Sequence, residues 1–175
     1  MTQHYVYTKQ ELLEALRSSE EQLRTVLAPL PQRDYETGRY ENGWNGHQIL
    51  AHIASIEWTY PRLIETARQA AASHAPQESP APAPSAQGGI DAYNQRQVDK
   101  RAHEAVAGLL AEFHTNRAAT IQAVEATDEA LLLRPIRSAG GVTGPLSNVL
   151  HAVAVSHVLG HAADIVGPGQ TGPVT

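Results

Sequence analysis

Cysteine is absent from this chain of 175 residues, and its absence limits the chemistry available. Without thiols the chain forms no disulfide and offers no thiolate to a metal ion, so any thiol nucleophile must come from a substrate or cosubstrate. Basic residues are also few, with 13 Lys and Arg against 18 Asp and Glu and a formal charge of -5. This balance does not favour a polyanion-binding surface, so we predict no nucleic-acid partner.

Long uninterrupted apolar runs are missing as well. The most apolar stretch, residues 147–166, is interrupted by His151, Ser156, His157 and His161. The chain does not open with a basic segment followed by an apolar one, as a secretory signal would. We therefore expect a soluble cytoplasmic protein with no membrane partner.

Apolar residues recur at helical intervals in four long segments. Thr8 and Glu11 have the spacing of a capping box, Asn45 is a good N-cap, and Pro61 predicts a bend inside the second segment. No segment has a convincing strand pattern, so we predict an all-α four-helix bundle that forms a single domain over residues 1–175. The predicted helices cover about residues 9–28, 45–73, 90–124 and 145–166, the last beginning at Pro145.

The connections between these segments differ in character. Residues 33–43 are charged and glycine-containing and predict a loop. Residues 73–89 contain four prolines and no large apolar side chain, which predicts a flexible linker. Such a linker can span roughly 50 Å, enough for the second and third helices to run parallel. Glycines mark a further loop at residues 140–144, and residues 170–175 are expected to be a disordered tail.

Histidine is the residue type that stands out, with nine copies scattered along the chain. His157 and His161 lie four residues apart in the predicted fourth helix, so both imidazoles lie on one face and can reach a single ion. A bundle metal site needs ligands from more than one helix, and His52 in the second helix is the natural third ligand. Three imidazoles with an open position suit catalytic zinc, and the same set accepts nickel or iron.

Each of these histidines also has an ordinary structural interpretation. The pair in the fourth helix is consistent with polar residues of a bundle helix, and His52 is consistent with a core-edge side chain bonded to a carbonyl. Isolated short motifs arise by chance, so spacing alone does not choose between these interpretations.

Two stretches resemble the DinB/YfiT-like metalloenzymes, the DinB superfamily. Residues 43–58, GWNGHQILAHIASIEW, are similar to the family's second-helix pattern, and residues 156–165, SHVLGHAADI, to its C-terminal H-x-x-x-H helix. The resemblance covers most of the chain and implies that His52, His157 and His161 are metal ligands. It also implies an up-down-down-up bundle, which agrees with the reach of the predicted linker.

Other polar residues near this set have open roles. Asp164 follows His161 by three residues and is expected to hydrogen-bond an imidazole, to act as a fourth ligand, or to remain a solvated carboxylate. Glu57 is a weaker candidate for a supporting role. His47 and His151 are rotated away from the predicted ligands, which leaves them as surface residues or as pocket lining.

The resemblance implies a divalent-metal-dependent enzyme that acts on a small-molecule substrate. The family includes transferases that use a low-molecular-weight thiol and a mycothiol-dependent isomerase, so an S-transferase and a small-molecule hydrolase are both expected activities. The alternative is a non-catalytic metal-binding or stress-response bundle. Adjacent leucines in the first and third helices, at positions 12–13 and 109–110, give each helix a wide apolar face, and we predict a homodimer.

Overall fold

The computed structural model describes residues 5–38, 43–72 and 88–167 of the chain. Except for Gly88 and Gly89, the predicted linker at 73–89 lies outside the described residues, as does the predicted tail at 170–175. The described elements in chain order are α1 (Lys9–Leu27), α2 (Gln32–Glu36), α3 (Gly46–Glu57), α4 (Thr59–Ala72), α5 (Gly89–Lys100), α6 (Val106–Glu125), α7 (Glu129–Leu132), β1 (Pro135–Arg137), β2 (Thr143–Pro145), α8 (Leu146–Leu150), a π-helical segment (His151–Ser156) and α9 (His157–Val166).

Helix α1 starts where its cap predicts. The Glu11 backbone N–H donates to Thr8 Oγ1 at 3.2 Å, and the Glu11 carboxylate accepts from the Thr8 backbone N–H at 2.8 Å. This reciprocal capping box satisfies two N–H groups that the first turn leaves without helical partners. The helix ends at Leu27, just before Pro29, which has no backbone N–H to continue it.

The second predicted helix is divided into α3 and α4, and the division falls at Trp58 rather than at Pro61. Proline cannot donate to the carbonyl four residues earlier, which here belongs to Glu57. That carbonyl accepts instead from Thr120 Oγ1 on α6, at 3.4 Å. The expected bend is therefore a break located one turn before the proline that causes it.

The prediction of one continuous helix over residues 90–124 is wrong, because α5 ends at Lys100 and α6 begins at Val106. Arg101 holds the break: its Nη1 donates to the Gln97 carbonyl at 3.0 Å, and its guanidinium pairs with Glu112 at 2.6 Å. Ala102, which a continuous helix would carry on the same apolar stripe as Val98 and Leu109, is exposed. Neither proline nor glycine marks this break, so the local sequence contains no signal for it.

Two short antiparallel strands correct the expectation of a chain without strands. Ile136 pairs with Gly144 in the register, and the Ser138 N–H donates to the Val142 carbonyl at 2.8 Å across the turn. Pro145 ends β2 and precedes the helix, instead of being its first residue. Strands of three residues are shorter than the runs in which alternation becomes visible in a sequence.

The last helical stretch, Leu146–Val166, is continuous but contains the π-helical segment. It ends at Gly167, whose φ of +79° suits glycine, as the sequence predicts. Its length and composition would allow it to cross a membrane, a weak criterion that the core helix of a soluble protein also meets. Here α9 packs against both α1 and α3, as a core helix does.

Four helices, α1, α3, α6 and α9, surround the core. Helices α1 and α3 each pack against both α6 and α9. The buried apolar side chains form two clusters. The first cluster is built mainly by α3 and the facing parts of α1, α6 and α9, and the second by α4, α8 and the opposite end of α1. Leu13 and Leu110, which suggested a second apolar face, are partly buried at the edges of these clusters.

A buried polar layer separates the two apolar clusters. Its members are Ser19 on α1, Glu57 at the end of α3, and Arg117 and Thr120 on α6, all essentially inaccessible to solvent. On each helix the polar residue follows apolar side chains of one cluster and precedes those of the other. Along the bundle axis, the core thus consists of one apolar cluster, the buried polar layer and the second apolar cluster.

The loop predicted for residues 33–43 is partly helical. Helix α2 lies within it and buries Tyr35, whose hydroxyl donates to the Leu27 carbonyl at 2.7 Å. That carbonyl belongs to the last turn of α1, which has no helical donor for it. A single buried aromatic therefore makes this short helix part of the core.

Candidate metal centre

Helix α3 enters the core in a fixed orientation because its first turn is held in two ways. The Gln48 N–H donates to Asn45 Oδ1 at 2.9 Å, and the Asn45 N–H donates to Gln48 Oε1 at 3.0 Å. Gly46 lies so close to α2 that a Cβ there would be 3.0 Å from the Tyr35 Cα. Local capping and this close approach together set the rotation of the helix that carries His52.

The three histidines singled out in the sequence converge in the structure. His52 on α3 meets His157 and His161 on α9, with ring centroids 5.4 and 5.2 Å from that of His52 and 4.4 Å from each other. Each ring offers one nitrogen, and these three nitrogens all lie within 4.8 Å of one another. Ligands bound tetrahedrally to one zinc ion at about 2.0–2.1 Å are about 3.3–3.4 Å apart, so the three rings would move together by roughly 1 Å to bind one ion.

The environment keeps these rings neutral. Burial, followed by repulsion from the neighbouring imidazoles, lowers the pKa of His52 from 6.5 to about 3 and that of His157 to about 4. Burial also lowers the pKa of His161, although Asp164 opposes this effect. A neutral imidazole has the free nitrogen lone pair that a metal ion requires, so the site is in its ligand-competent form near pH 7.

One nitrogen of His52 lacks the hydrogen bond that a buried polar atom normally has. Its Nδ1 is buried, and no partner for it is found among the described residues. A buried polar atom without a partner costs about 1–3 kcal/mol. An all-nitrogen donor set with an unsatisfied buried ring fits a divalent metal ion better than it fits a closed hydrogen-bond network.

Trp44 forms one wall of the cluster. Its ring centroid lies 5.2 Å from that of His52, and its Nε1 donates to Gln95 Oε1 on α5 at 3.0 Å. Trp44 is only 8% exposed, so its indole shields the His52 side of the site from water. The sequence marks Trp44 only as part of the resemblance, and its contact with Gln95 depends on the packing of α5.

Asp164 supports His161 rather than joining the cluster as a ligand. Its Oδ2 lies 3.1 Å from His161 Nδ1, which is the expected hydrogen bond to an imidazole. A carboxylate on Nδ1 favours the tautomer with its proton there and directs Nε2 towards an ion. The group of three nitrogens that could hold an ion comes from the histidines and does not include Asp164.

Glu57 lies elsewhere, in the buried polar layer. Both of its carboxylate oxygens bond to Arg117, with Nε–Oε1 at 2.7 Å and Nη2–Oε2 at 3.0 Å. Arg117 was not among the residues predicted from the sequence to have a special role. Its signal was available: it is a lone cation in the apolar stripe of α6, four residues after Phe113 and seven before Val124.

The remaining described histidines contact other groups. His47 Nε2 lies 2.7 Å from the Glu104 carbonyl oxygen, and the His151 ring stacks on Tyr7 with centroids 3.9 Å apart. His114 pairs with Glu20, and His103 is exposed. The two histidines left open by the sequence thus tie loops and the N-terminal segment to the bundle.

The comparisons with known proteins agree with one another on the fold of this chain. A family model of the DinB superfamily matches residues 15–165, whereas no curated protein gives a significant match. The chain is similar in structure to a mycothiol-dependent maleylpyruvate isomerase, with a TM-score of 0.68 and 17% identity over 91% of this chain and 61% of that one. It therefore spans less than two thirds of the isomerase.

Two further structures match over almost their full length. YfiT from Bacillus subtilis, described as a probable metal-dependent hydrolase with an unusual four-helix bundle topology, has a TM-score of 0.64 and 14% identity, covering 94% of this chain and 89% of that one. An uncharacterized protein from Clostridium difficile 630 has a TM-score of 0.65 and 12% identity, covering 93% and 95%. At these identities the likeness shows the fold. Since the family model spans residues 15–165, the chain belongs to the DinB superfamily.

Proposed function

We propose that this chain is a divalent-metal-dependent enzyme whose ion is held by His52, His157 and His161. The observation that carries the proposal is the convergence of three neutral, largely buried imidazoles from two helices, one of them with an unsatisfied nitrogen. Zinc suits three imidazoles with open positions, and nickel or iron would be accepted by the same ligands.

The chemistry proposed for this site is the activation of a thiol or a water molecule. A divalent ion bound by three imidazoles supplies a Lewis acid that lowers the pKa of a bound nucleophile towards neutrality. Asp164 orients His161, and Trp44 excludes water from one side. His157 is the most accessible of the three rings, so a small-molecule substrate would approach from its side.

Two reaction classes fit this arrangement. One is S-transfer from a low-molecular-weight thiol to an electrophile, supported by the mycothiol dependence named for the isomerase neighbour and by the absence of cysteine in this chain. The other is hydrolysis of a small molecule, supported by the description of YfiT. The non-catalytic alternative has less support, because Asp164 contacts the outer nitrogen of His161 instead of closing the coordination sphere.

Metal analysis of purified, untagged protein tests the ligand assignment. We expect about one divalent ion per chain in the wild type and a strong loss of occupancy when His52, His157 or His161 is replaced by Ala. The matched control is His103→Ala, since His103 is exposed and distant in sequence from the set. Equal occupancy in all four variants would rule out the assignment.

A substrate screen separates the reaction classes. The metal-loaded protein would be incubated with an electrophile and with bacillithiol, mycothiol or glutathione, and thiol consumption would be compared with release of hydrolysis products. Thiol-dependent turnover supports the transferase. Turnover without any thiol supports the hydrolase, and a metal-loaded chain inert in both assays supports the non-catalytic alternative.

The finer points of architecture belong to the same proposal. We infer an up-down-down-up order of the helices, a soluble protein and a homodimer that uses the faces carrying Leu13 and Leu110, both partly exposed in one chain. Light scattering tests the last point. A mass near 18.8 kDa, the value for one chain, contradicts the dimer, and a mass near twice that value supports it.

A further inference from the structure

The π-helical segment lies immediately before His157 and changes which backbone groups are paired. The His157 backbone N–H donates to the Ala152 carbonyl, five residues earlier. In an α-helix the same N–H would donate to the Val153 carbonyl, four residues earlier. The π register therefore makes the Val153 carbonyl available to side chains.

The Val153 carbonyl accepts a hydrogen bond from a different part of the bundle. The Tyr60 hydroxyl, on α4, donates to it at 2.7 Å. Tyr60 is 5% exposed and burial raises the pKa of its phenol, so the hydroxyl keeps its proton. The same carbonyl also acts on the His157 side chain, since it raises the pKa of that imidazole against the larger lowering by burial.

The next carbonyl in the segment is held in the same way. The Ala154 oxygen accepts from Arg117 Nη2 at 2.6 Å, and Arg117 is fixed by its two bonds to Glu57. Two consecutive carbonyls before His157 are thus held by side chains from α4 and α6. Single π turns inside α-helices are frequent at functional sites, where they change the direction of the following residues.

We propose that Tyr60 is a positioning residue of the metal centre, which orients His157 through the Val153 carbonyl while Arg117 fixes the adjacent Ala154 carbonyl. The inference rests on the proposed three-histidine metal site. Tyr60 does not touch the ion. It holds the carbonyl that the π register separates from the His157 backbone N–H, and so it holds the backbone that sets the direction of His157. Polar groups that orient a ligating histidine typically change metal affinity by 10–100-fold when they are removed.

The chain contains a matched control for this role. Tyr35 is as deeply buried as Tyr60, and its hydroxyl likewise donates to a helix carbonyl at 2.7 Å, that of Leu27. Tyr60→Phe and Tyr35→Phe each remove one hydroxyl, keep the ring and abolish one hydrogen bond to a main-chain oxygen. Only Tyr60→Phe removes a bond that leads to a metal-binding histidine.

Urea unfolding and metal competition would be measured on both variants and the wild type. We expect similar shifts of the urea midpoint for the two variants. We also expect a Kd for zinc about 10-fold weaker in Tyr60→Phe and unchanged in Tyr35→Phe. With Co²⁺ as the probe, the visible absorption bands should change position or intensity only in Tyr60→Phe, because they report ligand geometry.

The outcomes separate this inference from the metal site itself. Wild-type protein that binds zinc, with Tyr60→Phe binding as tightly and giving the same Co²⁺ spectrum, overturns the role of Tyr60 and leaves the metal site intact. Equal weakening in Tyr60→Phe and Tyr35→Phe overturns it too, since a general loss of stability would then explain the result. Wild-type protein that binds neither ion overturns the metal site and this inference with it.

Discussion

The bundle contains two buried polar groups that differ in how completely they are satisfied. In the ionic layer, Arg117 has five N–H donors and five bonds: two to the Glu57 carboxylate and one each to the Leu16 carbonyl, Ser19 Oγ and the Ala154 carbonyl. Every donor has an acceptor within 3.1 Å. Arg117 therefore has no N–H left to donate to a ligand.

The histidine cluster has the opposite property. His52, five residues before Glu57 on the same helix, has a buried nitrogen without a partner among the described residues, and its neighbours are neutral imidazoles. His52 and His161 are almost as deeply buried as Arg117 and Glu57, and His157 is half-buried. The ion pair is nevertheless fully hydrogen-bonded, whereas the imidazoles are neutral and one of their buried nitrogens has no partner among the described residues. In the described part of the chain a buried atom without a partner occurs also at Asn94 and Arg134, so it is the combination of such an atom with three clustered imidazole nitrogens that distinguishes the candidate site from a structural network.

Arg117→Met should produce the largest change, because it leaves the Glu57 carboxylate buried without its partner. We expect a loss of about 3–5 kcal/mol in the free energy of unfolding, measured with urea. Adding Glu57→Leu should restore part of this loss, since the uncompensated charge is then gone. Arg24→Met is the control, as Arg24 pairs with Glu21 on the exposed face of α1, and no resolvable shift is expected there. If Arg117→Met lowered the free energy of unfolding no more than Arg24→Met does, the ionic layer would not differ from the histidine cluster in the way described.

Acidification should destabilise the folded chain through the histidine cluster. The pKa of His52 is about 3 and that of His157 about 4 in the folded chain, against 6.5 as the ordinary value. Above pH 6.5 both rings are neutral in either state. Below pH 6.5 the unfolded chain binds protons that the folded chain does not bind. The free energy of unfolding therefore falls as the pH falls, by roughly 1.4 kcal/mol per pH unit for each histidine.

The measurement is urea unfolding of metal-free protein at several values between pH 7 and pH 5. Replacing His52 and His157 by Asn should flatten the pH dependence, whereas His103→Asn, at an exposed position, should leave it as in the wild type. A slope that is the same in all three proteins would show that the cluster does not control acid stability.

Asp164→Ala should produce the smallest change and tests the hydrogen bond between Asp164 and His161. The variant removes the carboxylate at 3.1 Å from His161 Nδ1, and we expect zinc affinity to fall by about 10-fold. Competition titration with a chromophoric chelator measures this effect. Glu125→Ala removes an exposed carboxylate from its pair with Arg17 and should have no effect on affinity, so equal values for the two variants would dismiss a role for Asp164.

Much of the helical framework and one side of the candidate site could be predicted because their signals are local. The cap at Thr8, the cap at Asn45 and the glycine after Val166 each act within one turn, and all three mark helix ends in the structure. The spacing of His157 and His161 places both on one face of any helix that forms there. No local rule connects His52 to the other two, so it was inferred from the need for a ligand on a second helix and from the family resemblance.

The break between α5 and α6 and the pairing of the two strands were decided by tertiary contacts. No proline or glycine marks the end of α5, where Arg101 pairs with Glu112 on the next helix. The strands are too short to show a period, and their pairing depends on the turn between them. Local propensity describes one segment at a time, whereas these features depend on groups that meet only after the chain has folded.

The sequence by itself determined which residues can form helices, where several of these begin or end, and which imidazoles share a face. Only the tertiary structure decided that Arg117 meets Glu57, that Trp44 covers His52, and that the segment before His157 takes the π register. The physical reason is that a buried polar group is stable only with partners, and those partners come from other helices. Hydrogen bonds from Tyr60 and Arg117 to main-chain oxygens compensate for the altered register. The sequence of the π-helical segment alone does not indicate these bonds, because their donors lie on other helices.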